Sequence, residues 1–256
     1  MKSICDIPYK EGLMLDLYLP DEGGFDLFVW FHGGGLKWGT RKLVAPEFSE
    51  SFCRRGVAVA SVEYRMYPDA KFPDFIVDAA ESVRFLIDHI KEYGECRRIF
   101  VGGTSAGGYL SMMLCFDRRY FEAVGLKPTD IDGYIHDAGQ PTVHFMILTE
   151  EGDDPKRVIV DERAPLYYIG RDERYPPMLF LVSDNDMFGR LEQIHLTVKT
   201  LEHFGHTDNV YLWEQHGKHC EYTETFHENG ESKFATLVCD FIEGLSSFFT
   251  YERSKV

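Results

Sequence analysis

Positive charge is scarce in this chain: 27 Lys and Arg stand against 42 Asp and Glu, for a formal net charge of −15 at pH 7. So acidic a surface repels nucleic-acid phosphates and anionic membranes, which excludes both as partners and leaves a neutral small molecule as the better fit. No apolar run is long enough to span a bilayer, and no charged segment followed by an apolar one opens the chain, so the expected location is the cytoplasm. Cys-x-x-Cys spacing is also missing. The cysteines (Cys5, Cys53, Cys96, Cys115, Cys220 and Cys239) are scattered, as free thiols in a reducing compartment would be. Repeats and low-complexity linkers are absent too, and 256 residues with 44% hydrophobic content suit one domain over 1–256. Nothing in the sequence fixes an oligomeric state.

What is present is alternation. Apolar, β-rich runs near 12–19, 25–31, 57–63, 98–103, 133–137, 177–183 and 209–214 are interleaved with helical patterns near 45–55, 74–93, 106–116, 189–204 and 233–249. Such alternation predicts an α/β fold with a mostly parallel, doubly wound sheet flanked by helices, its first two strands forming an antiparallel hairpin edge. The stretch from about 140 to 175 is less regular and carries the acidic run Glu150-Glu151-Gly152-Asp153-Asp154. It reads as a cap or insertion over the C-terminal edge of the sheet, where loops shape pockets, and His144 and Phe145 within it are candidate substrate contacts.

Two glycine-rich turns carry the chemistry. In Phe100-Val101-Gly102-Gly103-Thr104-Ser105-Ala106-Gly107-Gly108 a strand breaks sharply into a helix with one serine at the tip. Gly103 and Gly107 flank Ser105 at −2 and +2, the Gly-x-Ser-x-Gly elbow that exposes a nucleophilic hydroxyl at a sheet edge. Upstream, the strand Leu27-Phe28-Val29-Trp30-Phe31 ends in His32-Gly33-Gly34-Gly35, leaving backbone N–H groups bare. Donors aimed at the oxygen of a reacting carbonyl lower the barrier by roughly 3–4 kcal/mol each. Gly33 and Gly34, with the N–H of Ala106, are the expected oxyanion hole, and His32 is expected to orient the loop by hydrogen bonding.

These residues, together with Tyr64-Arg65-Met66-Tyr67-Pro68-Asp69-Ala70-Lys71-Phe72-Pro73, resemble the α/β-hydrolase family in its hormone-sensitive-lipase-like and carbohydrate-esterase branches, in order and in approximate spacing. The resemblance implies a serine carboxylesterase acting through an acyl-enzyme on short-chain or aryl acyl esters, with acetyl or feruloyl groups on oligosaccharides as the substrate class. It implies no cofactor and no metal. Lipase-like members carry a helical N-terminal cap, whereas here the first strands begin within about a dozen residues of Met1, which implies an open pocket suited to short acyl groups. Leu36 stands where a tryptophan often follows the glycines, with Trp38 two residues on.

A serine needs a histidine to take its proton and a carboxylate to orient that histidine. In this fold both follow the serine in the chain. The strand Pro177 to Ser183 ends in Asp184-Asn185-Asp186, and the strand Val210 to Glu214 runs into Gln215-His216-Gly217-Lys218-His219-Cys220. Asp184 and Asp186 compete for the acid, and His216 and His219 for the base; the family pattern selects Asp186 and His219. The two His-x-x-His spacings, His203/His206 and His216/His219, would make a zinc site only with a convergent third ligand and a defined second shell, and His203 and His206 suit the end of a helix without a metal; Cys220 beside His219 reads as packing rather than as a Cys–His pair. Two rival readings of the family remain: an arylformamidase-like amidase, and a non-catalytic binding module on the same fold.

Overall fold

The computed structural model describes residues 1–44 and 46–244. Its strands are β1 (Lys2–Lys10), β2 (Leu13–Leu19), β3 (Phe25–Phe31), β4 (Val57–Val62), β5 (Cys96–Thr104), β6 (Gly133–Asp137), β7 (Met178–Asn185) and β8 (Val210–Lys218). They form one eight-stranded sheet in the order β1-β2-β4-β3-β5-β6-β7-β8. From β4 through β8 every neighbouring pair is parallel. The helices are α1 (Pro46–Arg54), α2 (Asp74–His89), α3 (Ala106–Phe116), α4 (Arg119–Ala123), α5 (Phe145–Glu150), α6 (Arg190–His203) and α7 (Lys233–Glu243). Residue 45 of the helix expected at 45–55, and 245–249 of the one expected at 233–249, lie outside the described residues.

The expected edge hairpin needs correcting. The strands at 12–19 and 25–31 are not partners: β2 pairs antiparallel with β1 and with β4, and β3 lies inside the sheet between β4 and β5. The reason is burial. Phe25–Phe31 is buried at every position, as a strand covered on both faces must be, whereas β1 is mostly exposed or half-buried and belongs at an edge. Gly12, at φ +75°, makes the tight link between β1 and β2.

Strand alternation divides the core into two layers. Leu27, Val29 and Phe31 of β3 join a cluster with α2 and α3 residues such as Ile76, Val83, Leu110 and Met113. Phe28 and Trp30 face the other way, against Phe48 and Phe52 of α1 and Phe234 and Val238 of α7. Helix α3 is buried at all eleven positions, so the turn preceding it is held by packing on every side. Among the described residues no helix is long and apolar enough to cross a membrane.

One buried histidine in this core makes stability depend on pH. His136 of β6 is fully buried among Tyr134, Phe116 and Phe180 and meets Ser111 Oγ through Nδ1 at 2.9 Å. Burial lowers its pKa from 6.5 to about 3. Between those values the unfolded chain binds the extra proton, so stability falls on acidification by up to about 1.4 kcal/mol per pH unit from this group. The urea midpoint of the wild type will therefore drop more steeply between pH 6.5 and pH 4 than that of His136→Phe; parallel slopes would exclude this origin.

Candidate active site

The C-terminal ends of four parallel strands and the loops after them converge on one place. Ser105 follows β5 with φ 56° and ψ −107°, a conformation few non-glycine residues adopt, and its N–H donates to Asp137 O at 2.7 Å. The elbow exists because backbone passes very close to backbone. A Cβ on Gly107 would lie 2.0 Å from Phe31 O, and one on Gly103 would lie 2.6 Å from the carbonyl carbon of Gly107. Gly-x-Ser-x-Gly is thus the footprint of α3 crossing β5 and the end of β3.

His219 lies just beyond β8. Its Nε2 is 2.9 Å from Ser105 Oγ, and its Nδ1 is 2.5 Å from Asp186 Oδ1. A carboxylate can only accept, so Nδ1 carries the proton and Nε2 is the lone pair facing the serine hydroxyl. The Asp186 side chain is 1% exposed, and the same Oδ1 accepts from Met187 N at 2.6 Å. The rival residues pair with each other instead. Asp184 accepts from His216 Nδ1 at 2.7 Å and from Gly217 N at 3.0 Å, and the His216 side chain is 94% exposed.

The glycine loop after β3 faces the elbow from the other side. A Cβ on Gly33 would sit 3.4 Å from Ser105 Cβ, so the loop runs alongside the serine. Gly34 turns at φ +115° and accepts from Trp38 N at 2.9 Å; any side chain there would strike Trp38 O at 1.8 Å. Among the described residues the N–H groups of Gly33, Gly34 and Ala106 donate to no backbone carbonyl, Ala106 being the first residue of its helix. His32 is buried beneath them and donates through Nδ1 to Gly33 O at 2.7 Å. The block after β4 braces the loop: Tyr64 stacks on His32 at 4.5 Å and donates to His32 O at 2.8 Å, and Tyr67 N donates to Leu36 O at 2.9 Å.

Of the two expected substrate contacts, His144 offers no surface. It is 1% exposed and caps α5 by accepting Met146 N at 3.2 Å, because a short helix starting in the core needs its first N–H groups satisfied there. Burial and the nearby Arg190 drive its pKa well below the usual imidazole range. Phe145 is half-buried, with its ring against Gly35 of the glycine loop. The histidines weighed as zinc ligands diverge. His206 packs edge-on against Tyr175, His203 against Phe204, and the other two pair with aspartates; among the described residues no cluster could hold a metal. Burial also pushes the Cys220 thiol well above its usual pKa, which keeps it protonated.

Three buried polar residues beside the site belong to no motif in the sequence. Asp137 ends β6, Tyr222 follows His219 by three residues, and Arg190, 4% exposed, donates to Ala138 O and to Gln140 Oε1. The signal for Asp137 was available: it is an acid at the C-terminal end of a recognised strand.

The chain is an α/β-hydrolase-fold protein. A family model described as BD-FAE matches residues 15–136. Within that class the chain is similar to a Schizosaccharomyces pombe AB hydrolase superfamily protein, 35% identical over 36% of this chain and 28% of that protein. It is also similar to the Arabidopsis thaliana isoprenylcysteine alpha-carbonyl methylesterase, 30% identical over 43% of this chain and 26% of that one. The matches thus span only about a quarter of the length of these relatives. A carbohydrate esterase from gut microbiota superposes with a TM-score of 0.78 at 17% identity, covering 96% of this chain and 97% of that one.

The elbow geometry yields a stability test. Gly107→Ala drives a methyl group into Phe31 O and will lower stability by about 3 kcal/mol or more. Gly125→Ala, at φ +73° with nothing within 4 Å, will cost only about 1 kcal/mol. Denaturant melts of the two variants compare them; equal losses would mean that the crossing relaxes.

Proposed function

We propose that the protein is a serine carboxylesterase working through an acyl-enzyme, with Ser105 as nucleophile, His219 as base and acid, and Asp186 orienting His219. The observation that carries this reading is the unbroken chain Ser105 Oγ, His219 Nε2, His219 Nδ1, Asp186 Oδ1, with spacings of 2.9 Å and 2.5 Å. Ser105 Oγ bonds to the ester carbonyl carbon as its proton passes to His219 Nε2, and the carbonyl oxygen gains the charge. Gly33, Gly34 and Ala106 present the N–H groups that stabilise this oxyanion. Collapse expels the alcohol, which takes the proton from His219; a water activated by His219 then releases the acid.

The substrates proposed are short-chain or aryl acyl esters, with acetyl or feruloyl groups on oligosaccharides the favoured class. Two things support that choice: the likeness of fold to a carbohydrate esterase, and the net charge of −15, which suits a neutral substrate. We read residues 1–256 as one domain, with the 140–175 segment acting as a cap. Two contacts support that role: the Phe145 ring on Gly35, and the Lys37–Glu150 ion pair at 2.8 Å, which ties α5 to the glycine loop. The cytoplasmic assignment rests on the acidic surface and the free cysteines.

Hydrolysis of p-nitrophenyl acetate tests the assignment. Ser105→Ala and His219→Ala will lose about three orders of magnitude or more in kcat, and Asp186→Asn about two or more. Asp184→Asn and His216→Ala remove an exposed pair and will stay within about threefold of wild type. A Ser105→Ala protein as active as wild type would refute the mechanism. N-formylkynurenine turned over faster than acetyl esters would move the reading to an amidase.

A further inference from the structure

Beneath the proposed triad runs a second buried polar chain that the acyl-transfer mechanism does not use. Trp30 Nε1 of β3 donates to Thr104 Oγ1 at 3.2 Å, one residue before Ser105. Thr104 is paired in register with Asp137, and the backbone oxygen of Asp137 receives the Ser105 N–H at 2.7 Å. The Asp137 side chain is fully buried, and its Oδ1 accepts a hydrogen bond from the Tyr222 hydroxyl. Tyr222 is itself 1% exposed, wedged against Trp213 and Phe234, on the short helical turn Glu221–Glu224 that follows His219 and Cys220. Asp137 Oδ2 has no hydrogen-bond partner among the described residues. A carboxyl buried with only one such bond favours its protonated form, because the charged form loses its hydration.

We propose that Asp137 and Tyr222 are positioning residues: their hydrogen bond clamps the His219 segment to the Ser105 elbow. The proposal rests on the reading of Ser105 and His219 as nucleophile and base. One residue of the pair touches the serine through backbone, and the other lies three positions from the histidine, so the bond between them fixes the separation on which the 2.9 Å Ser105–His219 contact depends. The groups facing Asp137 are Thr104 from β5, Asp186 from the loop after β7, and His219, Cys220 and Tyr222 from the segment after β8. Burial raises the Asp137 carboxyl to about 7, opposed by the Tyr222 hydroxyl, by Thr104 and by His219.

Two variants test the clamp, with rates expressed per serine titrated by a fluorophosphonate so that unfolded protein does not count. Tyr222→Phe keeps the ring but removes the bond; kcat for p-nitrophenyl acetate will fall about tenfold while KM stays within about twofold. Asp137→Asn keeps the acceptor for Tyr222, and kcat will stay within about threefold of wild type. The low-field proton resonance of the His219–Asp186 hydrogen bond, read by NMR, will broaden in Tyr222→Phe and persist in Asp137→Asn. Wild-type kcat and an unchanged resonance in Tyr222→Phe, with only the melting temperature lowered, would overturn the proposal and leave the pair as packing. If the wild type shows no Ser105-dependent hydrolysis, the esterase reading fails on its own, and the NMR comparison then decides the clamp: a broadened resonance in Tyr222→Phe sustains it, and an unchanged one overturns it.

Discussion

The site depends on one steric constraint, the passage of α3 across the ends of β3 and β5 with no room for a side chain between them. Gly107 lies so near Phe31 O that even a methyl group would have to displace backbone. That closeness throws Ser105 into its strained conformation, leaves the first N–H groups of α3 open, and brings Gly33 of the neighbouring loop within van der Waals distance of the serine side chain. The strain is sustained because α3 is buried at all its positions and β3 is buried along its whole length. Packing far from the serine thus holds the serine in place.

Much of this was legible in the sequence because it rests on residues with few substitutes. A close backbone crossing requires glycine, so Gly103 and Gly107 mark the elbow, and Gly34 marks a turn that no other residue could make. Apolar runs likewise located seven strands, most plainly β3 and β4, which are buried at every position and so carry almost only apolar residues. The edge was harder to read. Strand β1 alternates polar with half-buried residues and contains Pro8, so no apolar run announces it, and without it β2 was assigned the wrong partner. His144 was misread for a related reason: a histidine in a loop looks the same whether its ring caps a buried helix or faces a ligand, and only the fold distinguishes the two.

The acidic residues at the strand ends illustrate how environment sorts like chemistry. Asp184 and Asp186 are two positions apart on the same chain segment, and each pairs with a histidine. The Asp184 side chain is half exposed and its histidine almost fully so; water competes with both, and such a pair contributes little. The Asp186 side chain is shielded, and its partner also reaches the serine. In that setting the carboxylate fixes one tautomer of the imidazole, which a solvated carboxylate does poorly. Spacing in the sequence could not separate the two, because the difference lies in what covers them.

Asp137 occupies a third environment, fully buried with a phenol as its hydrogen-bond partner. A fully buried carboxyl bonded to a phenol is poorly placed to hold a fixed negative charge, yet it stands among the same groups that Asp186 serves. Asp186 accepts hydrogen bonds from His219 Nδ1 and from Met187 N, so donors face its charge directly. Asp137 contributes through its bond to Tyr222 instead, which holds the segment carrying His219 beside the elbow and so supports the 2.9 Å contact between Ser105 and His219.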